Sequence, residues 1–211
     1  MSSILQRLSA SVLALSGWRL SAQLPPNNKI IIIGAPHTSN WDFPMTLLAL
    51  SALGLRFSWI GKDTMFSGPF GHLLKKIGGI PVNRRVRSGF IDQMVQAFAA
   101  HDRMVLAIAP EGTRAKKDSW KSGFYQIAMQ AQVSICLGFI DYPQRTIGLG
   151  PVIVPTGDVT ADFALISTFY QDKKGKNPHQ ASTVRLRDKD IALLNQQYRD
   201  MQDNKQAQKR R

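Results

Sequence analysis

Two segments of the 211-residue chain concentrate side chains able to move protons or hold anions. The first is Gly34-Ala35-Pro36-His37-Thr38-Ser39-Asn40-Trp41-Asp42. An aspartate that holds one imidazole nitrogen leaves the other free as a general base of fixed tautomer. Inside one continuous helix, residues five apart point about 140° away from each other. His37 and Asp42 can therefore meet only if His37 precedes a helix whose first turn carries Asp42 back. Pro36, followed by Thr38, Ser39 and Asn40 as candidate N-caps, permits that path. A plainer meaning fits the same residues: Ser39-x-x-Asp42 matches a capping box, with His37 an ordinary loop histidine. Spacing leaves both open.

The second segment is Ala109-Pro110-Glu111-Gly112-Thr113-Arg114, in which Glu111 is the single glutamate of the chain. Arg114 offers a planar fork suited to phosphate or carboxylate. Arg84 and Arg85 offer the same after Gly79-Ile80-Pro81-Val82-Asn83. Each arginine taken singly reads as a solvated surface residue. Taken together, three loops would supply a base dyad, an acid and several anion-binding cations.

Both segments follow apolar runs that read as strands, Lys29 to Ile33 and Arg103 to Ala109. Catalytic groups in α/β sheets gather at such carboxyl ends. Further strands are expected at Arg56 to Ile60, Ile80 to Asn83, Val133 to Ile140 and Thr146 to Val154. Helical spacing covers Asp42 to Leu53, Pro69 to Ile77, Ser88 to Ala100, Tyr125 to Gln132 and Val159 to Tyr170. The alternation predicts an α/β domain with a mixed, largely parallel sheet flanked by helices. The expected organisation is an N-terminal amphipathic helix in 1–24, a domain over 25–172 and a basic extension over 173–211. That extension holds eleven basic and four acidic residues and is expected to fray at its end.

Composition excludes several classes. Cys136 stands alone, so no internal disulfide exists, and no tetrahedral zinc site can be drawn from ligand spacing. A phosphate-binding P-loop, a dinucleotide fingerprint and a serine-hydrolase elbow are all missing. The formal charge of +13 implies attraction to polyanions, acidic lipid surfaces included. Aromatics are not interleaved with the basic runs, which disfavours nucleic acid. No apolar stretch of about 20 residues occurs, so a membrane span is not expected. On a helical wheel Ile4, Leu5, Leu8, Val12, Leu15 and Trp18 share one face, with Arg7 and Arg19 flanking it. That pattern suits a helix lying in a lipid interface, and equally one packed on its own domain. A signal peptide fits less well, because the n-region is weak and no clear cleavage site precedes Pro25.

The order His37-x-x-x-x-Asp42, Gly79-Ile80-Pro81-Val82-Asn83-Arg84, then Pro110-Glu111-Gly112-Thr113-Arg114 closely resembles the glycerophospholipid acyltransferase family. Its best-known members are the 1-acylglycerol-3-phosphate (lysophosphatidate) acyltransferases. The similarity extends through Trp120-Lys121-Ser122-Gly123-Phe124 and covers roughly residues 29–160. The resemblance implies that family's glycerol-phosphate acyltransferase fold. It implies that His37 takes the proton of an acceptor hydroxyl attacking an acyl thioester, with Asp42 orienting the ring. Arg84 and Arg114 would hold the acceptor's phosphate, and Glu111, Gly112 and Thr113 would shape the acceptor side. The implied partners are a lysophospholipid acceptor, an acyl-CoA or acyl-carrier-protein donor and an anionic membrane surface, with no cofactor. The implied location is peripheral, at the cytoplasmic membrane face. In the family's fourth motif the chain departs from the pattern: Val133-Ser134-Ile135-Cys136-Leu137-Gly138 carries neither expected proline.

Apolar residues from Phe43 to Leu55 exceed what one buried stripe needs, and an acyl groove is one use for the surplus. A hydroxylated aminolipid is an alternative acceptor. A non-catalytic basic protein docking on anionic lipid or RNA is the alternative from another class.

Overall fold

The computed structural model describes residues 3–25, 27–82 and 89–209. Its seven strands are β1 (Arg19–Ala22), β2 (Lys29–Ala35), β3 (Ser58–Lys62), β4 (Gly79–Val82), β5 (Met104–Ile108), β6 (Ser134–Asp141) and β7 (Thr146–Ile153). They form one sheet in the order β1-β7-β6-β2-β5-β3-β4. Every neighbouring pair is parallel except β6 and β7. The sheet is thus mixed and largely parallel, as the alternation of elements implies.

Strand β2 sits at the centre because Ile30 to Ile33 is apolar without interruption, which suits a strand covered on both faces. Ile31 and Ile33 pack with α4 (Phe90–Ala100), α5 (Gly123–Ala131) and α6 (Val159–Tyr170). Ile30 and Ile32 meet Leu50 of α2 (Asp42–Ala52) on the opposite face. Helix α3 (Gly71–Lys76) joins the α2 side behind a ring series, Phe43 against Trp59 against Phe66.

Helix α1 (Ser3–Leu15) packs on α2 through Leu13, while Ser9 is also buried. Its predicted apolar face of Ile4, Leu5, Leu8, Val12 and Leu15 points outward, with Leu15 89% exposed. Trp18 departs from that face: it follows the helix and rests edge-on against Tyr142, with ring centroids 5.1 Å apart. Strand β1 was not expected, being a four-residue edge strand with one half-buried side chain.

The C-terminal segment differs most from expectation. Helix α7 (Asp188–Lys209) occupies what reads as a fraying basic end. Leu186 and Leu194 join the main core, so residues beyond 172 are built into it. Ile191, Leu194 and Tyr198 lie at helical spacing along an otherwise polar run. Arg187 donates to both oxygens of Asp190 (2.7 and 3.1 Å), and acids in the first turn suit the helix dipole. Among the described residues, no helix is long and apolar enough to cross a membrane.

Candidate active site

Parallel pairing of β2 with β5 sets the loops after these strands side by side at one sheet edge. Topology therefore joins the His37 and Glu111 segments, which the chain separates widely.

The chain leaves β2 through a cis Ala35–Pro36 peptide and enters α2 at Asp42. The Asp42 carboxylate gathers the loop around itself. Its Oδ2 accepts the backbone N–H groups of Thr38 and Ser39, each at 2.8 Å, and lies 3.3 Å from His37 Nδ1. Its Oδ1 accepts the Tyr142 hydroxyl at 2.8 Å. The capping box is only half made: Asp42 reaches back to the Ser39 N–H, but the Ser39 hydroxyl accepts the Trp41 N–H at 3.2 Å, and Trp41, not Thr38, Ser39 or Asn40, is the N-cap of α2, without a side-chain cap. Burial pushes the Asp42 carboxyl up, but hydrogen bonds from His37, Ser39, Tyr142 and Thr38 outweigh it and hold the group below its ordinary value. With Nδ1 engaged, Nε2 is the His37 atom left for the cavity that this residue lines.

Glu111 is 2% exposed. Its Oε1 accepts the His37 backbone N–H at 2.5 Å and its Oε2 accepts that of Ser182 at 2.9 Å. The carboxylate ties the loop after β2, the loop after β5 and the segment before α7 together. Although Glu111 lines the cavity, both oxygens are engaged by the protein itself. Gly112 turns the chain with φ 66°, and a β-carbon there would come 2.8 Å from Lys121 Cε. Thr113 Oγ1 accepts the Ala115 N–H at 3.2 Å, and Arg114 is exposed at the cavity wall. Arg84 and Arg85 lie outside the described residues.

The cavity measures about 1400 Å³. His37, Asp42 and Arg114 line it together with apolar Ile32, Phe43, Leu47, Leu50, Leu53 and Leu149. Of the apolar surplus between Phe43 and Leu55, Met45 and Leu48 instead pack toward Leu13 and Ile140, and Leu55, beyond the end of α2, toward Ile30. Gly138, in the strand that lacks the expected prolines, also lines the cavity. Among the described residues, no group of three or more His, Cys, Asp or Glu could hold a metal ion.

Sequence reasoning missed Tyr142. It opens the turn between β6 and β7, directly after Asp141, and nothing in spacing connects positions 42 and 142. The arrangement suits removal of a proton from a hydroxyl that carries an anionic group nearby and an apolar chain behind it.

Residues 19–143 match the family model described as Acyltransferase. No curated protein matches the chain. Among solved structures, the 1-acyl-sn-glycerophosphate (LPA) acyltransferase PlsC from Thermotoga maritima has a similar fold. It is 14% identical with a TM-score of 0.50, the match covering 72% of this chain and 68% of that one.

Proposed function

Because the chain belongs to the Acyltransferase family, we propose that it moves a fatty acyl group from an acyl thioester to the hydroxyl of a lysophospholipid. The acceptor that best suits the site is 1-acylglycerol-3-phosphate, giving phosphatidate. One observation carries this reading: a carboxylate-held imidazole, an exposed arginine and apolar side chains of α2 line the same cavity.

His37 Nε2 takes the acceptor's hydroxyl proton as the oxygen attacks the thioester carbonyl. An ester C–O bond forms, the C–S bond breaks, and the proton passes from the imidazolium to the departing thiolate. Asp42 keeps the ring oriented and stabilises its charged form. No enzyme nucleophile is required, since the substrate brings its own hydroxyl. A positioned base of this kind contributes about 10²–10⁴ in rate. Arg114, together with Arg84, receives the acceptor's phosphate, and the chain being transferred lies against α2. Each buried methylene adds roughly 0.8 kcal/mol, so the depth of the cavity can select chain length.

An anionic membrane surface, at the cytoplasmic face, is the reading for where this happens. Its support is the outward apolar face of α1 and, across α2, exposed Phe70, Leu73 and Ile77 beside Lys75 and Lys76. Apolar groups ringed by lysine suit the interface of acidic lipids.

The deciding experiment is mass spectrometry of lipids formed by purified protein from mixed lysolipids, with acyl-CoA and acyl-carrier protein supplied separately. Phosphatidate from wild type and none from His37→Ala is the expected result. Full transfer by His37→Ala would end the mechanism. A hydroxylated aminolipid as the acylated product, with turnover insensitive to Arg114→Gln, would reassign the acceptor.

A further inference from the structure

Residues 173–187 lie beyond the segment matched by the family model, yet they cross the site as a strap. The strap begins against the end of β6, where the Tyr142 N–H donates to the Lys174 carbonyl at 2.9 Å. Gly175 then passes so close to Thr38 that a β-carbon there would lie 2.4 Å from Thr38 Oγ1. Two residues on, the Asn177 N–H donates to that same hydroxyl at 3.2 Å, and Asn177 Nδ2 donates to the Thr38 carbonyl at 2.9 Å. Gln180, with its amide nitrogen turned to the carbonyls around it, reaches Thr38 O at 2.9 Å and Arg114 O at 3.1 Å. Farther along, Ser182 N–H meets Glu111, and the Ser182 hydroxyl accepts the Lys117 N–H at 3.1 Å.

Thr38 is the focus of these contacts. It follows His37 directly, is 1% exposed, and sends its own N–H to Asp42. Its hydroxyl accepts the Asn177 N–H, and its carbonyl accepts the side-chain amides of both Asn177 and Gln180. A polar side chain of the strap is thus spent on the backbone of the residue next to the candidate base. We propose that Asn177 is a positioning residue, holding Thr38 and the Thr38–Ser39 peptide so that the imidazole of the preceding residue keeps its place between Asp42 and the cavity. This rests on the acyl-transfer reading for its consequence in rate, though not for its geometry. Proton transfer needs heavy atoms within about 2.6–3.2 Å, and a misplacement of about 1 Å can cost roughly 10² in rate. A clamp one residue from the base acts on that tolerance directly.

The test uses the full chain with ¹⁵N-labelled histidine, the His37 ring signal being assigned by its loss in His37→Gln. Asn177→Asp keeps the size and the backbone N–H but replaces the amide donor with an acceptor. Asn177→Ala removes the side chain, and the nearly isosteric Asp variant serves where Ala does not fold. The expected result is an unfolding temperature near wild type, a moved His37 ring signal and kcat lowered about tenfold, with both KM values within about twofold. Wild-type kcat, or a lowered kcat with an unmoved His37 signal, overturns the proposal. If wild type transfers no acyl group, the acyl-transfer reading fails by itself. The ring signal then decides the role of Asn177 alone: moved upholds it and unmoved overturns it.

Discussion

The Tyr142 hydroxyl donates to Asp42 Oδ1 at 2.8 Å, on the carboxylate oxygen that does not face His37. Backbone N–H groups and the imidazole share Oδ2, so Tyr142 fixes the rotation of the carboxylate about its own bond. Trp18 braces the Tyr142 ring from the other side, which ties the end of the α1 segment to the dyad. Burial, then the charge and hydrogen bond of Asp42, push the Tyr142 phenol well above its ordinary value, so it stays protonated as the donor. Tyr142→Phe is expected to lower kcat roughly tenfold, the lower end of the about 1.5–3 kcal/mol that a hydrogen bond to a charged group is worth. KM should change little. The Asp42 carboxyl loses one of the contacts that hold it down, so its own titration should move to higher pH. Steady-state kinetics and carboxyl-carbon NMR across pH check the two effects; a wild-type kcat with an unmoved Asp42 titration contradicts them.

Asp42 also sets how the fold responds to acid. Its native carboxyl binds a proton less readily than the unfolded one, whose ordinary value is 3.8. The stabilisation is therefore complete above that value and drains away as pH falls through the lower native value. Asp42→Asn removes this contribution and the slope that goes with it. Chemical denaturation at a series of pH values should show wild type losing its advantage over Asp42→Asn as the medium becomes acidic. A constant difference between the two would place the acid sensitivity elsewhere.

How much of this was legible beforehand follows from the kind of signal each part carries. Strand β2 announces itself with four consecutive isoleucines, and α6 by its apolar spacing between Val159 and Tyr170. The His37 and Glu111 segments could be singled out because their residue types are rare together. Their mutual contact could not be measured, because it depends on β2 and β5 being neighbours. Asn177, Ser182 and Tyr142 act from loops or strand ends, where polar residues show no period. Helix α7 hid for a related reason: its buried side is narrow and most of its surface is polar.

Glu111 separates two roles that one residue type could play. Its oxygens accept two backbone N–H groups from different segments, and it is buried. Glu111→Gln would turn an amide N–H toward one of those donors, leaving buried groups unsatisfied at about 1–3 kcal/mol. The variant should therefore unfold at a lower temperature and lose kcat, while saturating with the acceptor near the wild-type concentration. Calorimetry beside kinetics reads both. A raised acceptor KM with unchanged stability would instead mark Glu111 as a substrate contact.

The outward face of α1 gives a prediction free of the chemistry. Leu8 and Val12 are 58% and 48% exposed, so replacing both with serine removes little internal packing and should leave the unfolding temperature unchanged. On a lipid surface each would bury apolar area, and full burial of such side chains is worth about 1.5–3 kcal/mol. Binding of Leu8→Ser/Val12→Ser to vesicles of acidic phospholipid should accordingly weaken by about tenfold or more. Sedimentation of protein with vesicles measures it, and added salt should weaken wild type as well, through the lysines around α3. Undiminished binding by the double variant would move the lipid contact away from α1.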